Sequence, residues 1–218
     1  MHFQFLIEDQ SSEKLIDLIM KKVISENSTA EISYNCKGFK GIGGFTQKNT
    51  VKETKTGKLL NDLTTYLKGF DKSLSNIDSA IFIILDNDDR DVDVFRQELE
   101  AIAQKSMITI DYVFCIAIEE VEAWLLGDEN AIRRAYPKAK LSVLHTYIQD
   151  SICGTWETLA NVIYPGGISK MKKTCVSYME IGAKKAEWAY NIGKFIDLEH
   201  NNSPSFKFFI SELYKRIS

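Results

Sequence analysis

The segment HFQFLIE, near the start of the chain, is almost continuously apolar and reads as a strand closing at Glu8. Behind it Leu15, Ile16, Ile19, Met20 and Val23 recur at the spacing of one helix face, and Ser11 or Ser12 stands where a cap is needed. AEISYNC, from Ala30, predicts a second strand, and the Gly- and Lys-rich stretch KGFKGIGGFTQKNT predicts a mobile loop. Leu59, Leu60, Leu63, Tyr66 and Leu67 mark the next amphipathic helix. AIFIILD is apolar throughout until its last residue, the pattern of a parallel strand covered on both faces. Val92, Phe95, Leu99 and Ile102 then share a helix face, and YVFCIAI predicts a fourth strand ending before Glu119. Strands alternating with helices predict an α/β fold, a parallel sheet of about four strands joined by right-handed crossovers and flanked by helices.

Beyond residue 120 the period is that of helices. Trp124 and Leu125 belong to one apolar face; Leu144, Tyr147 and Ile148 to another; Trp156, Leu159, Ala160 and Ile163 to a third, stopped by Pro165-Gly166-Gly167. Trp188, Ala189, Ile192, Phe195 and Ile196 mark a fourth, and the last opens with Ser203 as cap and Pro204 at the first helical position, with Phe206, Phe209, Ile210 and Leu213 on its core side. A soft boundary near residue 127 divides an α/β part, 1–127, from a C-terminal helical extension, 128–218, expected to pack on it.

Composition changes this picture little. The chain has 218 residues, 44% hydrophobic and 26% charged, with a formal net charge of −3. That is an ordinary globular balance, without the global positive field of a non-specific nucleic-acid or membrane binder. The four cysteines, Cys36, Cys115, Cys153 and Cys175, form no C-x-x-C pair and are expected as buried thiols. The N-terminus lacks a basic leader, and no apolar run approaches the ~20 residues of a membrane span, so a cytoplasmic location is expected.

Charge placement matters more than its sum. Ligands of open parallel sheets bind beyond the carboxyl ends of the strands. Here the first strand ends in Glu8-Asp9, the third in Asp86-Asn87-Asp88-Asp89, and the fourth runs into Glu119, Glu120 and Glu122. Gathering carboxylates on one edge is costly unless a cation offsets them, and oxygen donors at this density suit Mg²⁺ or Mn²⁺. Asp86-x-Asp88 at a strand end lets two carboxylates converge, with Glu8 in a matching position. Glu119 and Glu122, three apart, would share a helix face, and one of them is expected to join the site, while Glu120 faces solvent. Asp89, Asp91 and Asp93 fit the start of the next helix, where acids favour the positive dipole end.

Glu8 after the first strand with Asp86-x-Asp88 after a later one resembles the Toprim domain of topoisomerases, DnaG-type primases and OLD-family nucleases. The resemblance spans roughly residues 1–122, and the whole chain, with AIEEVEAWLLGD and DSICGTWE, resembles a family of small bacterial Toprim-like proteins. It implies a Mg²⁺- or Mn²⁺-dependent site for phosphoryl transfer, with Glu8 as general base or ligand and Asp86 and Asp88 as metal ligands. Toprim proteins place Gly directly after the Glu. Here the residue is Asp9, either a further ligand or a sign of altered activity. OLD-like nucleases often work beside ATPases in anti-phage defence and use a lysine beyond the acidic motifs, for which Lys184 or Lys185 is the candidate.

Other basic residues could meet a phosphate or form a solvated face: Lys170, Lys172 and Lys173 in ISKMKK, and Lys37, Lys40 and Lys48 in the glycine loop. The tryptophans are expected in the core, and the three histidines show no zinc spacing. Gly57-Lys58 lacks the rest of a P-loop, GIGG lacks the spacing of a dinucleotide loop, and no G-x-S-x-G occurs. A receiver-like domain leaves Asp86-x-Asp88 unexplained; a DxD phosphatase carries its pair after the first strand; an EF-hand needs Gly where Asp91 stands. The leading expectation is therefore a metal-dependent nuclease acting on DNA or RNA. The other is a catalytically inactive Toprim-like scaffold for a partner ATPase or nucleic acid; self-association stays open.

Overall fold

A computed structural model describes residues 1–42 and 59–217. The expected strands and helices form in the expected order. β1 (His2–Ile7) leads through α1 (Gln10–Glu26) to β2 (Ser33–Gly38), and α2 (Leu59–Ser73) to β3 (Ser79–Asp86). α3 (Val92–Ser106) then leads to β4 (Asp111–Ala117). The four strands form one sheet in the order β2-β1-β3-β4, every pairing parallel. β1 therefore connects outward to β2, while the next strand lies on its other side. The strand order reverses between β1 and β3, which is where such sheets open a crevice at their carboxyl ends.

Period-two alternation sends the two sides of each strand to different cores. Phe3, Phe5 and Ile7 of β1, Phe82 and Ile84 of β3, and Cys115 of β4 face α1 and the C-terminal helices. Leu6, Ile81, Ile83, Leu85, Phe114 and Ile116 face α2 and α3, whose Leu63, Leu67, Phe95 and Leu99 close the second core. The first core continues without a break across residue 127 into the helical part. α4 (Glu122–Leu126) comes before that boundary, and beyond it follow α5 (Glu129–Ala135), α6 (Leu141–Leu144), α7 (Thr155–Ile163), α8 (Gly167–Thr174), α9 (Tyr178–Gly193) and α10 (Pro204–Ile217). Trp124 stacks on Phe209, ring centroids 5.1 Å apart, and Phe209 meets Phe5 and Phe82 edge-on. Trp124 and Trp188 are core residues, whereas Trp156 is only partly buried.

Several expectations need correction. The helix after β1 is capped by Asp9, not by Ser11 or Ser12. It begins at Gln10, so both serines lie inside it, and Asp9 accepts the Ser12 N–H (2.9 Å) and hydroxyl (2.7 Å). The face predicted through Leu144, Tyr147 and Ile148 breaks up because α6 ends at Leu144, and Ile148 is 75% exposed. α9 stops at Gly193, ahead of Phe195 and Ile196. The cap on α10 is as expected: Ser203 Oγ accepts the Phe206 N–H. All four cysteines are free, and Cys153 is exposed rather than buried. Most of the glycine loop, with Lys48, Gly57 and Lys58, lies outside the described residues. Among the described residues, no helix is long and apolar enough to cross a membrane.

Candidate active site

The acids converge where the sheet topology places a crevice. β1 and β3 run in register up to Ile7 and Ile84, so Glu8 and Asp86 leave the sheet on neighbouring strands, Asp86 one residue further along. Two hydrogen bonds tie the strand exits, each at 3.0 Å: Glu8 N–H donates to Ile84 O, and Asp86 N–H donates to Glu8 Oε2, the bond that joins the pair. Asp86 carries the parity of Phe82 and Ile84, which places it on the α1 and C-terminal side of the sheet. There it feels the charges of Glu8, Asp9 and Glu122, and of one cation, Lys185. Burial, then repulsion from Glu8, raises the proton affinity of Asp86 well above the carboxylate norm. Burial is also the main cause for Glu8, pushed up to about 7, with Asp88 and Asp9 adding to the rise against the Asp86 N–H.

Glu122 forms the far wall. It opens α4 and is buried, with Lys185 Nζ 3.3 Å from its Oε2. The same ammonium lies 3.1 Å from Glu120 Oε1. Glu122 Oε2 and Glu120 Oε2 are buried without a hydrogen-bond partner. Burial, offset by Lys185, brings the Glu122 carboxyl to about 7. The ion pairs overcome burial at Lys185 and raise its affinity for its proton. Glu120, expected to face solvent, is drawn into the site by this lysine.

Glu119 takes the opposite course. Its φ is +61°, a conformation unusual for a long side chain, so it does not share a helix face with Glu122. Its carboxylate instead accepts the N–H groups of Cys153, Gly154 and Thr155 and the Thr155 hydroxyl at the start of α7. Burial acts against its ionisation, but these donors outweigh it and hold the carboxyl below the usual range. Glu119 is an anchor for α7, not a member of the acid cluster.

Asn87, overlooked in the sequence, sets this divergence. It is 1% exposed and its side chain ties Arg90 O to Glu119 N–H, while its own N–H reaches Ala117 O. A polar residue inside an acidic run was the available signal. Asp88, at φ +51°, turns outward to Arg90 (2.8 Å) with its side chain 52% exposed, so it does not converge on Asp86. Asp91 caps α3, accepting the N–H groups of Asp93 and Val94. Asp89 and Asp93 are exposed.

Of the two candidate lysines, Lys184 turns away to Glu187 (2.7 Å), and Lys185 is the one at the cluster. Lys37 lies over the rings of Tyr66 and Phe39. Lys40 is exposed, its backbone bridged to Asp9. Lys170, Lys172 and Lys173 are exposed on α8, where Lys172 pairs with Glu157 (3.6 Å).

The site thus offers Glu8, Asp86 and Glu122 around one lysine, with Glu120 Oε2 and Glu122 Oε2 buried without a hydrogen bond and Glu122 Oε2 ion-paired to Lys185. That donor chemistry fits an oxygen-preferring divalent cation. Among the described residues, however, no three His, Cys, Asp or Glu side chains stand close enough together to hold one. Comparison of the chain with protein-family models, with curated proteins and with solved structures finds no match.

Proposed function

We propose that this chain is a Mg²⁺- or Mn²⁺-dependent phosphodiesterase acting on nucleic acid, a nuclease of Toprim-like type. The observation that carries the reading is the Glu8–Asp86 pair, joined at 3.0 Å across the point where strand order reverses and faced by Glu122 and Lys185. Asp86 and Glu122 would hold the cation once drawn closer than they stand here, with Glu8 as a further ligand or as general base. When bound, it would polarise a phosphate oxygen and acidify a water. Glu8 Oε2 is occupied by the Asp86 N–H, which leaves Oε1 to take a proton near neutral pH. Lys185 supplies positive charge beside Asp86, where a phosphate would gather negative charge. Asp9, in the place of the usual Gly, is engaged as the cap of α1, so its presence does not by itself argue for lost activity. A role in anti-phage defence beside a partner ATPase rests on the resemblance alone.

The test is cleavage of labelled DNA and RNA in Mg²⁺, Mn²⁺ or EDTA, with Asp86→Asn purified in parallel. Metal-dependent cutting by the parent, reduced on the order of 100-fold or more in the variant, is expected. Equal cutting by both would place the activity elsewhere.

One observation favours the second reading, an inactive scaffold that binds a partner ATPase or nucleic acid. Lys185 already neutralises part of the cluster, and no preformed trio awaits a metal. Calorimetric titration separates the two: no Mg²⁺ or Mn²⁺ binding in the millimolar range would favour the scaffold.

A further inference from the structure

The core-facing stripe of α9 runs out of the core before the helix does. Ile192 and Ala189 are buried, at 0% and 2% exposure. One turn earlier on the same stripe, Lys185 meets the acid cluster. One turn earlier again is Gly182, where an added Cβ would meet nothing within 4 Å. The stripe ends at Tyr178, which is 95% exposed. Seven residues separate Tyr178 from Lys185, which at helical geometry is two turns and roughly 10 Å on one face. On one face the helix therefore carries, in line, an exposed ring, an open notch and the cation of the site.

Two further features mark this end of α9. Val176 and Met179, 84% and 82% exposed, join Tyr178 in one short stretch. Apolar groups gathered this way, rather than scattered singly, signal an interaction surface. On α8, the helix that precedes α9 in the chain, Lys170 and Lys173 are exposed one helical turn apart, and among the described residues neither has an ion-pair partner. A glycine inside a helix costs stability relative to alanine, and no neighbouring atom requires one at Gly182.

We propose that the Tyr178–Gly182–Lys185 stripe of α9, together with Lys170 and Lys173 of the preceding helix, is a track for single-stranded nucleic acid that delivers a phosphodiester to the acid cluster. The ring stacks a base, the glycine lets the sugar-phosphate backbone pass close to the helix, and the lysines track phosphates. An exposed ring beside cations is the pairing that single strands use, because every unpaired base offers a stacking face. A duplex hides those faces. What happens at the end of the track rests on the phosphodiesterase reading; the binding itself does not.

The experiment is fluorescence anisotropy in EDTA, with labelled dT and rU oligomers and a duplex of equal length, over a range of salt. Single strands are expected to bind at least roughly 10-fold more tightly than duplex, and Tyr178→Ala to lose roughly 5-fold or more. The double variant Lys170→Glu/Lys173→Glu is expected to weaken binding and to flatten the salt slope by about 1.4, two phosphate contacts' worth. Gly182→Ala is expected to raise Tm yet weaken binding. Gly69→Ala, the control in α2, where a Cβ also has open space, is expected to raise Tm alone. Preference for DNA or for RNA identifies which single strand is used and supports the track in either case. Duplex bound as tightly as single strand, or full binding by both Tyr178→Ala and the charge reversal, overturns it, and leaves the surface to a protein partner. Track-dependent binding with no Asp86-dependent cleavage retains the track and overturns the reaction. Asp86-dependent cleavage indifferent to Tyr178 does the reverse.

Discussion

Two acidic stretches leave the carboxyl edge of the sheet, after β3 and after β4, and they dispose of their charge differently. After β3 the compensation is local. Asp88 pairs with Arg90, Asp91 caps the helix it precedes, and Asp89 and Asp93 face water. Only Asp86 is left in the crevice. After β4 the compensation comes from far along the chain: Glu119 is held by the start of α7, and Glu120 and Glu122 by Lys185 of α9. Local partners leave an acid hydrated and dispensable. Distant partners bury it, and a buried carboxylate is one that a cation or a proton can control.

The largest expected effect lies at the buried exit. Lys185→Ala strips the lysine ammonium from Glu120 and Glu122, and should cost about 3 kcal/mol at pH 8 in urea denaturation. Lys185→Met, which keeps much of the stem, separates lost charge from lost packing. Glu122 already holds its proton up to about pH 7 with the lysine present. Protonation should therefore relieve the penalty as pH falls, and the loss should shrink by pH 5. A cost below about 1 kcal/mol at pH 8, the scale of an exposed pair, would erase the distinction between the exits.

Next comes Glu119. Its carboxylate satisfies three backbone N–H groups at the head of α7, more than Asp91 does for α3. Glu119→Ala should cost about 2 kcal/mol and Asp91→Ala about 1, by urea denaturation. The Glu119 carboxyl is held below its usual range, so its contribution is complete above the ordinary carboxylate pKa. It fades as pH drops through the lowered value.

These two exits also divide what was legible in the sequence. The strands, the parallel order and the Glu8–Asp86 convergence follow from alternation and from where parallel strands end, which are local properties. The outward role of Asp89, Asp91 and Asp93 was equally local. The β4 exit is not local: residues 119–122 carry the spacing of continuous helix. The left-handed backbone at Glu119 breaks that register, and Asn87, on the neighbouring strand exit, secures the break. Lys185 differs from Lys184 only by 100° around α9, an orientation settled by which stripe meets the core. Asp9 departs from the Toprim pattern because it caps α1.

A smaller effect should come from Glu8. Its native carboxyl keeps a proton to about pH 7, against an ordinary value of 4.5. Between those values the folded chain binds more protons than the unfolded chain, so stability falls as pH rises through this window. Glu8→Gln removes that ionisation while its amide oxygen can still accept the Asp86 N–H. The variant should match the parent at pH 4 and exceed it by about 1–2 kcal/mol at pH 8. Mg²⁺ added to the parent at pH 8 should recover much of the difference in Tm, because a cation favours the ionised form. A parent whose stability is flat from pH 4.5 to 7 would put Glu8 in the same class as the hydrated acids of the β3 exit.

The smallest effect, and the finest probe of the comparison, is at Asp88. Asparagine tolerates the left-handed backbone at this position, so Asp88→Asn removes the charge without adding strain. An exposed pair with Arg90 contributes little, and stability should stay within about 0.5 kcal/mol of the parent. If the two exits differ as described, Asp88 is compensated locally and takes little part in holding a cation. Cleavage should then fall by less than about 10-fold, against on the order of 100-fold for Asp86→Asn. An equal loss in both would mean that Asp88 leaves Arg90 for the cation during the reaction. The Asp86-x-Asp88 spacing would then act as a converging pair, and the contrast drawn between the β3 and β4 exits would hold only for the resting protein.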